Sequence, residues 1–252
     1  HMSLGPTDVE AAARRITGHI RRTPLLRLTD PHLCELKLEH LQVAGSFKSR
    51  GAFNTLLASD VPAAGVAAAS GGTHHQARTG AMGIHAYDAD LTIAGQGTVA
   101  MEWEADSDGL DTVLVAVGGG GLISGIAAWF QSSVKVVAVE PATSRAMQAA
   151  LDAGAPVDVD VSGIAADSLG ARSIGARNYD IAAKHVAAAV TVPDEAIADA
   201  QQTLWREARI ITAPGGAAAY AALLCGAYQP AKGERVGVLV CGANVDPGAF
   251  AL

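Results

Sequence analysis

The chain has 252 residues, half of them apolar and 17% charged, which excludes a disordered protein and leaves ample material for one large domain or two modest ones. Its net charge of −7, with no long run of Lys or Arg, excludes the basic footprint of a nucleic-acid or anionic-membrane binder. The three cysteines at 34, 225 and 241 form no CxxC pair and no apolar run reaches the ~18 residues of a membrane span, so the expectation is a cytoplasmic protein acting on small molecules, without disulfide framework or zinc site.

The spacing Thr7-Asp8-Val9-Glu10 reads as a capping box, and Val9, Ala13, Ile16 and Ile20 share one face, which predicts a helix over 8–20 that Thr23-Pro24 ends. A short strand is expected over 36–41, with Lys37 in the outward position between Leu36 and Leu38, and a helix over 49–57. Lys48 then falls at a strand-to-helix turn. The run 112–117 predicts a buried strand, 122–130 a helix and 135–139 a second buried strand. Toward the C-terminus the alternation recurs, as a helix over 194–208, a strand over 210–212, a helix over 216–224 and a strand over 236–241. Unbroken Val/Ile/Leu strands alternating with helices predict an α/β protein with a mainly parallel sheet covered on both faces.

Two stretches carry chemistry. Gly45-Ser46-Phe47-Lys48-Ser49-Arg50-Gly51 sets one of only five lysines between small residues and an aromatic, where its amine could form a Schiff base. Alone, such a lysine is ordinarily a solvated charge. Gly118-Gly119-Gly120-Gly121 follows a strand and opens a helix, so bare backbone N–H groups and the positive end of a helix dipole converge on an anion site suited to phosphate. A merely connecting turn would lose much backbone entropy with four glycines. No GxGxxG register closes here and no Gly-Lys-Ser/Thr follows, which sets aside both nucleotide motifs. A Schiff-base lysine together with a phosphate cup is the minimal description of a pyridoxal 5'-phosphate site.

The ordered motifs Arg22-Thr23-Pro24-Leu25, Gly45 to Lys48, Ser70-Gly71-Gly72-Thr73-His74, Ile93 to Thr98, Gly118 to Leu122, Val139-Glu140-Pro141 and Cys241 to Asp246 give the chain a wider likeness. It resembles the fold type II pyridoxal phosphate enzymes, specifically the serine/threonine dehydratase and serine racemase group. The resemblance implies a tryptophan synthase β-like α/β fold, an open and mainly parallel sheet with helices on both faces. A large cofactor-binding domain would comprise 1–57 and 95–252. Only eight residues lie between Gln76 and His85, where one βαβ unit takes about 30 or more. The smaller substrate-side domain that the resemblance implies is thus largely absent from the sequence, leaving a remnant over 58–94: either it is truly reduced, or, as the intact flanking motifs and the sheet edges such a cut would leave unpaired favour, residues are missing between Gln76 and His85.

The resemblance further implies that Lys48 anchors the cofactor, that Phe47 lies beside its ring, that the backbone of Gly118, Gly119, Gly120, Gly121 and Leu122 binds its phosphate, and that Cys241 faces its pyridine nitrogen. By its residues alone Cys241 reads more commonly as a small buried apolar group ending a strand. Ser70, Thr73 and His74 are implied to bind the substrate carboxylate, against a plain reading as helix caps and a polar core residue. A neutral thiol is a weak partner for the ring, which favours prompt loss of a β-hydroxyl. The implied activity is that of an ammonia-lyase on serine, threonine or a related hydroxy amino acid, in a homodimer. Several positions depart from the group. Thr73 stands for an asparagine that contacts the cofactor, and Gly71 for the second acid/base serine of racemases, which favours elimination over racemisation. Glu140 matches a divalent-cation ligand, but its aspartate partner is replaced by Ala146, so no metal is expected. Ala213 replaces a pocket glutamate and Ser168 a pocket glycine. The alternatives are a racemase of the same fold, a β-replacing enzyme, which His74 argues against, and a cofactor-binding protein that has lost turnover.

Overall fold

The computed structural model describes residues 4–29, 31–69, 81–246 and 248. Its chain order is α1 (Pro6–Ile16), β1 (Leu25–Leu28), β2 (Cys34–Leu38), α2 (Lys48–Leu57), β3 (Val66–Ala69), β4 (Met82–His85), α3 (Asp90–Asp106), β5 (Thr112–Ala116), α4 (Gly121–Phe130), β6 (Lys135–Pro141), α5 (Ala146–Ala153), α6 (Ala166–Leu169), α7 (Ala176–His185), β7 (Val186–Val192), α8 (Asp194–Ala208), α9 (Pro214–Leu224) and β8 (Val236–Val240). Six strands form one sheet in the order β1-β2-β8-β5-β6-β7, parallel throughout except for the antiparallel edge strand β1. Every residue of β5 and β8 is buried, as their unbroken apolar runs require of strands covered on both faces. β3 and β4 pair in parallel with each other, apart from the main sheet. Among the described residues, no helix is long and apolar enough to cross a membrane.

The expected mainly parallel α/β sheet is present, and α8 spans the expected residues. Three local expectations are corrected. Helix α1 starts at Pro6, because the reciprocal cap forms at Gly5, whose N–H donates to Asp8 Oδ2 at 2.9 Å rather than at Thr7. It stops at Ile16, just before the left-handed turn that Gly18 makes at φ 83°, well short of Thr23-Pro24. Residues 210–212 pair with no strand: Thr212 is fixed instead by its carbonyl, which accepts from Gln201 Nε2 at 2.8 Å.

Lys37 is the third correction. It is not an outward lysine but lies fully buried, donating to Glu102 Oε1 at 2.6 Å and to the Thr23 carbonyl at 2.7 Å. Burial lowers its pKa, and the Glu102 carboxylate opposes that shift. The same carboxylate accepts from Arg50 at 3.1 Å, and Arg50 forks onto Glu39 at 2.6 and 2.8 Å with both side chains fully buried. Thr98 and Thr23 complete the network. The period-2 pattern placed Lys37 correctly on the sheet, but helix α3 covers that face.

Helix α3 is held at backbone contact on two sides. A Cβ on Gly95 would lie 2.6 Å from Gly51 Cα of α2, and one on Gly97 would lie 2.8 Å from the Gly125 carbonyl oxygen of α4. A Cβ on Gly125 would fall 2.4 Å from the Ile93 carbonyl oxygen. Because these neighbours are backbone, the helices have to separate to admit a methyl group. Gly125→Ala should therefore destabilise the protein by about 1–3 kcal/mol through overpacking. Urea denaturation measures this, and an unchanged midpoint would show that the contact is looser than described.

Candidate functional site

Lys48 is the first residue of α2, and the loop before it is fastened to the C-terminal end of β8. Phe47 N–H donates to the Cys241 carbonyl at 3.1 Å, Ala243 N–H donates to the Gly45 carbonyl at 2.9 Å, and Ser46 bridges to Gly242. These contacts lie just beyond the C-terminal end of β8, a central parallel strand, where open α/β sheets expose their ligand-binding crevice. Lys48 is exposed, half-buried Phe47 precedes it, and Arg50 two residues later is locked into the buried ion network. The start of the helix is anchored, while among the described residues the exposed amine makes no hydrogen bond or ion pair.

The glycine run sits at the C-terminal end of β5. Gly120 adopts φ 94° and caps α4 without a side chain, so the first-turn N–H groups of α4 face outward with no intrahelical acceptor. The neighbours leave no room for larger residues. A Cβ on Gly118 would come within 3.2 Å of the Leu169 backbone, and one on Gly119 would strike the Tyr87 ring at 2.4 Å. A cradle of bare N–H groups at a helix N-terminus suits a phosphate dianion.

One cavity of about 570 Å³ is lined by Ser46, Phe47, Lys48, Gly118 to Leu122, Ser168, Ala213 and Cys241, together with Ala86, Tyr87, Ile164, Asp167, Leu169 and Asn244. The structure thus brings together Lys48, Phe47, Gly118, Gly119, Gly120, Gly121, Leu122 and Cys241. Ser70, Thr73 and His74 lie outside the described residues. The Cys241 thiol is buried and reaches the Gly215 carbonyl at 3.4 Å. Burial pushes it up to about 11, against the pull of Lys48, so it is a neutral thiol at physiological pH. An amine and an anion cradle on the walls of one cavity, with an uncharged thiol in the same wall, fit a phosphorylated aldehyde.

The sequence pattern described as pyridoxal-phosphate dependent enzyme matches residues 75–242. The chain belongs to this family. Pyridoxal phosphate is its cofactor, and the fold is that of the fold type II members. A phenylserine dehydratase of Ralstonia pickettii is 29% identical over 300 aligned positions, covering 94% of this chain and 92% of that protein. Since 300 positions exceed the 252 residues of the chain, the alignment is gapped. Among solved structures, a threonine deaminase from T.th. is 33% identical with a TM-score of 0.88, covering 96% of this chain and 99% of that one. Maize serine racemase is 25% identical with a TM-score of 0.91, covering 98% and 97%.

Of the positions that depart from the dehydratase and racemase pattern, Gly71 and Thr73 lie outside the described residues, and the others have places. Ala213 lines the cavity directly before α9, leaving no carboxylate there. Ser168 Oγ accepts from Gly215 N–H at 3.1 Å and donates to the Ala165 carbonyl at 3.2 Å, so its hydroxyl is already bound within the wall. Glu140 is wholly buried, and its two oxygens accept from Met147 N–H at 2.7 Å and Gln148 N–H at 2.9 Å, which makes it the cap of α5. Sequence reasoning missed Tyr87 and Asn178, which flank the glycine run. Their only signal was proximity in space, which a sequence without repeats does not carry.

Burial pushes the Glu140 carboxyl up to about 7, opposed by the two N–H groups and by Arg145. The folded protein therefore holds this proton more tightly than the unfolded chain does. That contribution to stability is complete below the ordinary carboxyl pKa and is lost as pH rises through about 7. On raising pH from about 5 to about 8, stability should fall by on the order of 3 kcal/mol at most. Glu140→Gln should flatten that slope in urea denaturation at the two pH values, and parallel slopes would contradict the assignment.

Proposed function

We propose that this protein is a pyridoxal phosphate-dependent ammonia-lyase that converts a β-hydroxy amino acid of the serine or threonine type into a 2-oxo acid and ammonia. The observation that carries the reading is the single cavity in which the exposed Lys48 amine and the N–H cradle of Gly118 to Leu122 meet beside a neutral Cys241. When bound, the cofactor supplies an aldehyde that takes up an amino group and a ring that draws electrons from the substrate's α-carbon.

The chain's own groups do the rest. Backbone N–H groups of the cradle hold the phosphate, and the α4 dipole adds to their pull. Phe47 bounds the slot for the ring. Lys48 Nζ would hold the cofactor's aldehyde carbon, and its amine, once free, would take the substrate's α-proton. The β-hydroxyl leaves with a proton as water. Addition of one water at the α-carbon then releases ammonia and the 2-oxo acid, so the net change is loss of ammonia. The uncharged Cys241 thiol would be a weak partner for the cofactor's ring nitrogen, which would favour rapid departure of the hydroxyl over a long-lived carbanion. Ser70, Thr73 and His74 belong to this reading as carboxylate binders, the segment 58–94 as the remnant of the substrate-side domain, and the homodimer as part of the resemblance.

The likeness to maize serine racemase supports a second reading, racemisation on the same site. Relatives named for phenylserine and threonine leave the substrate's β-substituent open between small and aromatic.

Incubation with L-serine, L-threonine and L-threo-phenylserine should release 2-oxo acid, and Lys48→Ala should reduce the rate by about 10²-fold to 10⁴-fold or more, the range for losing a positioned base. Accumulation of the D-enantiomer without oxo acid would replace this reading with the racemase. Visible absorbance of bound cofactor that persists unchanged in Lys48→Ala would remove Lys48 as its anchor.

A further inference from the structure

Behind the phosphate cradle lies a side chain that touches none of the cavity. Asn178, the third residue of α7, is wholly buried. Its Nδ2 donates to the Gly119 carbonyl at 3.0 Å and to the Tyr87 carbonyl at 3.1 Å. Two carbonyl acceptors identify that end of the side chain as the amide nitrogen. Gly175 N–H reaches the same Gly119 carbonyl at 3.3 Å, so this oxygen is held by two donors. The Asn178 side chain packs over Gly120, where a Cβ would lie 2.9 Å from Asn178 Cβ. Its own backbone carbonyl accepts from Ser124 Oγ of α4 at 3.2 Å.

The planarity of the peptide unit gives this arrangement its meaning. In a trans peptide the C=O and the following N–H point in opposite directions. Holding the Gly119 oxygen toward α7 therefore turns the Gly120 N–H away from α7, to the side on which Gly119 and Gly120 line the cavity. Glycines impose little preference of their own, and a Gly-Gly peptide reorients readily unless something fixes it. The second bond of Nδ2 fixes Tyr87, whose ring stands against Gly119 and whose backbone stands against Gly121.

We propose that Asn178 is a positioning residue of the phosphate cradle. By pinning the Gly119 carbonyl it aims the Gly120 N–H at the cofactor phosphate, and by pinning the Tyr87 carbonyl it sets the aromatic side chain that covers the cradle. The proposal rests on the reading that Gly118 to Leu122 receive the phosphate.

The test separates phosphate recognition from general integrity by using two probes, pyridoxal 5'-phosphate and phosphate-free pyridoxal. The full chain, freed of cofactor, is titrated with each and followed by the visible absorbance of the lysine-bound compound. Asn178→Ala should weaken pyridoxal 5'-phosphate by about 10- to 100-fold, the worth of one charge-assisted hydrogen bond, and leave pyridoxal within about twofold. Ser124→Ala, which removes another bond to the same residue but leaves the amide in place, should keep the wild-type preference for the phosphorylated form. Equal weakening of both probes in Asn178→Ala, or a lowered melting temperature with the preference unchanged, would overturn the proposal by showing a structural role only. A wild-type protein that binds both probes alike would remove the phosphate cradle itself, and the proposal with it.

Discussion

The geometry of the site depends on how closely helix α3 is allowed to approach its two neighbours. Gly95 meets Gly51 of the helix that begins with Lys48, and Gly97 meets Gly125 of the helix that begins at the glycine cradle. Where backbone meets backbone in this way, the spacing between the helix that begins with Lys48 and the helix that opens at the glycine run is set by backbone van der Waals radii rather than by rotamers. This gives a physical account of the Gly95-Gln96-Gly97 run, which otherwise sits in the middle of a helix where glycine costs about 1 kcal/mol relative to alanine.

Beneath the same helices, the Lys37–Glu102–Arg50–Glu39 network occupies a place that an apolar cluster could fill. Buried ion pairs of this sort are weak evidence for stability, because desolvation offsets most of their attraction. Their geometry is strict, however. Arg50 forks onto one carboxylate and reaches a second and a threonine, so α2 has one register in which all its partners are met. A helix that begins with the lysine proposed to anchor the cofactor is better served by that specificity than by a slightly more stable but slippery packing. The same network explains why the Arg22-Thr23-Pro24 and Gly97-Thr98 stretches belong with the lysine loop: Thr23 and Thr98 are two of its hydrogen-bonding partners.

Much of this was legible in the sequence, because Lys48 and the glycine run gain meaning together: a lysine at a turn is ordinarily a solvated charge, but paired with four glycines between a strand and a helix it points to a phosphorylated aldehyde. Cys241 was legible only through resemblance, since a small residue ending a strand is ordinarily core. The burial of Lys37 was not legible. Alternation along β2 says which face a residue takes, but only the tertiary fold says whether that face is covered. The run 210–212 fails as a strand for a related reason: three β-branched or apolar residues satisfy the pattern, yet no neighbouring strand lies beside them. Asn178 and Tyr87 are invisible for a deeper reason, because their role arises from carbonyls 59 and 91 residues away. The start of α1 was missed by two residues because Gly5 and Asp8 form the cap without a hydroxyl.

The buried state of Cys241 also bears on how the protein meets electrophiles and oxidants. A thiol whose ionisation is pushed up to about 11 holds a negligible thiolate fraction at neutral pH, and thiolate is the form that alkylating agents and peroxides attack. Cys34 is likewise buried and pushed up to about 12, while Cys225 alone is exposed. The cavity therefore keeps a sulfur atom in its wall that is chemically silent, and covalent labels directed at sulfhydryls mark the exposed Cys225 rather than the cavity wall.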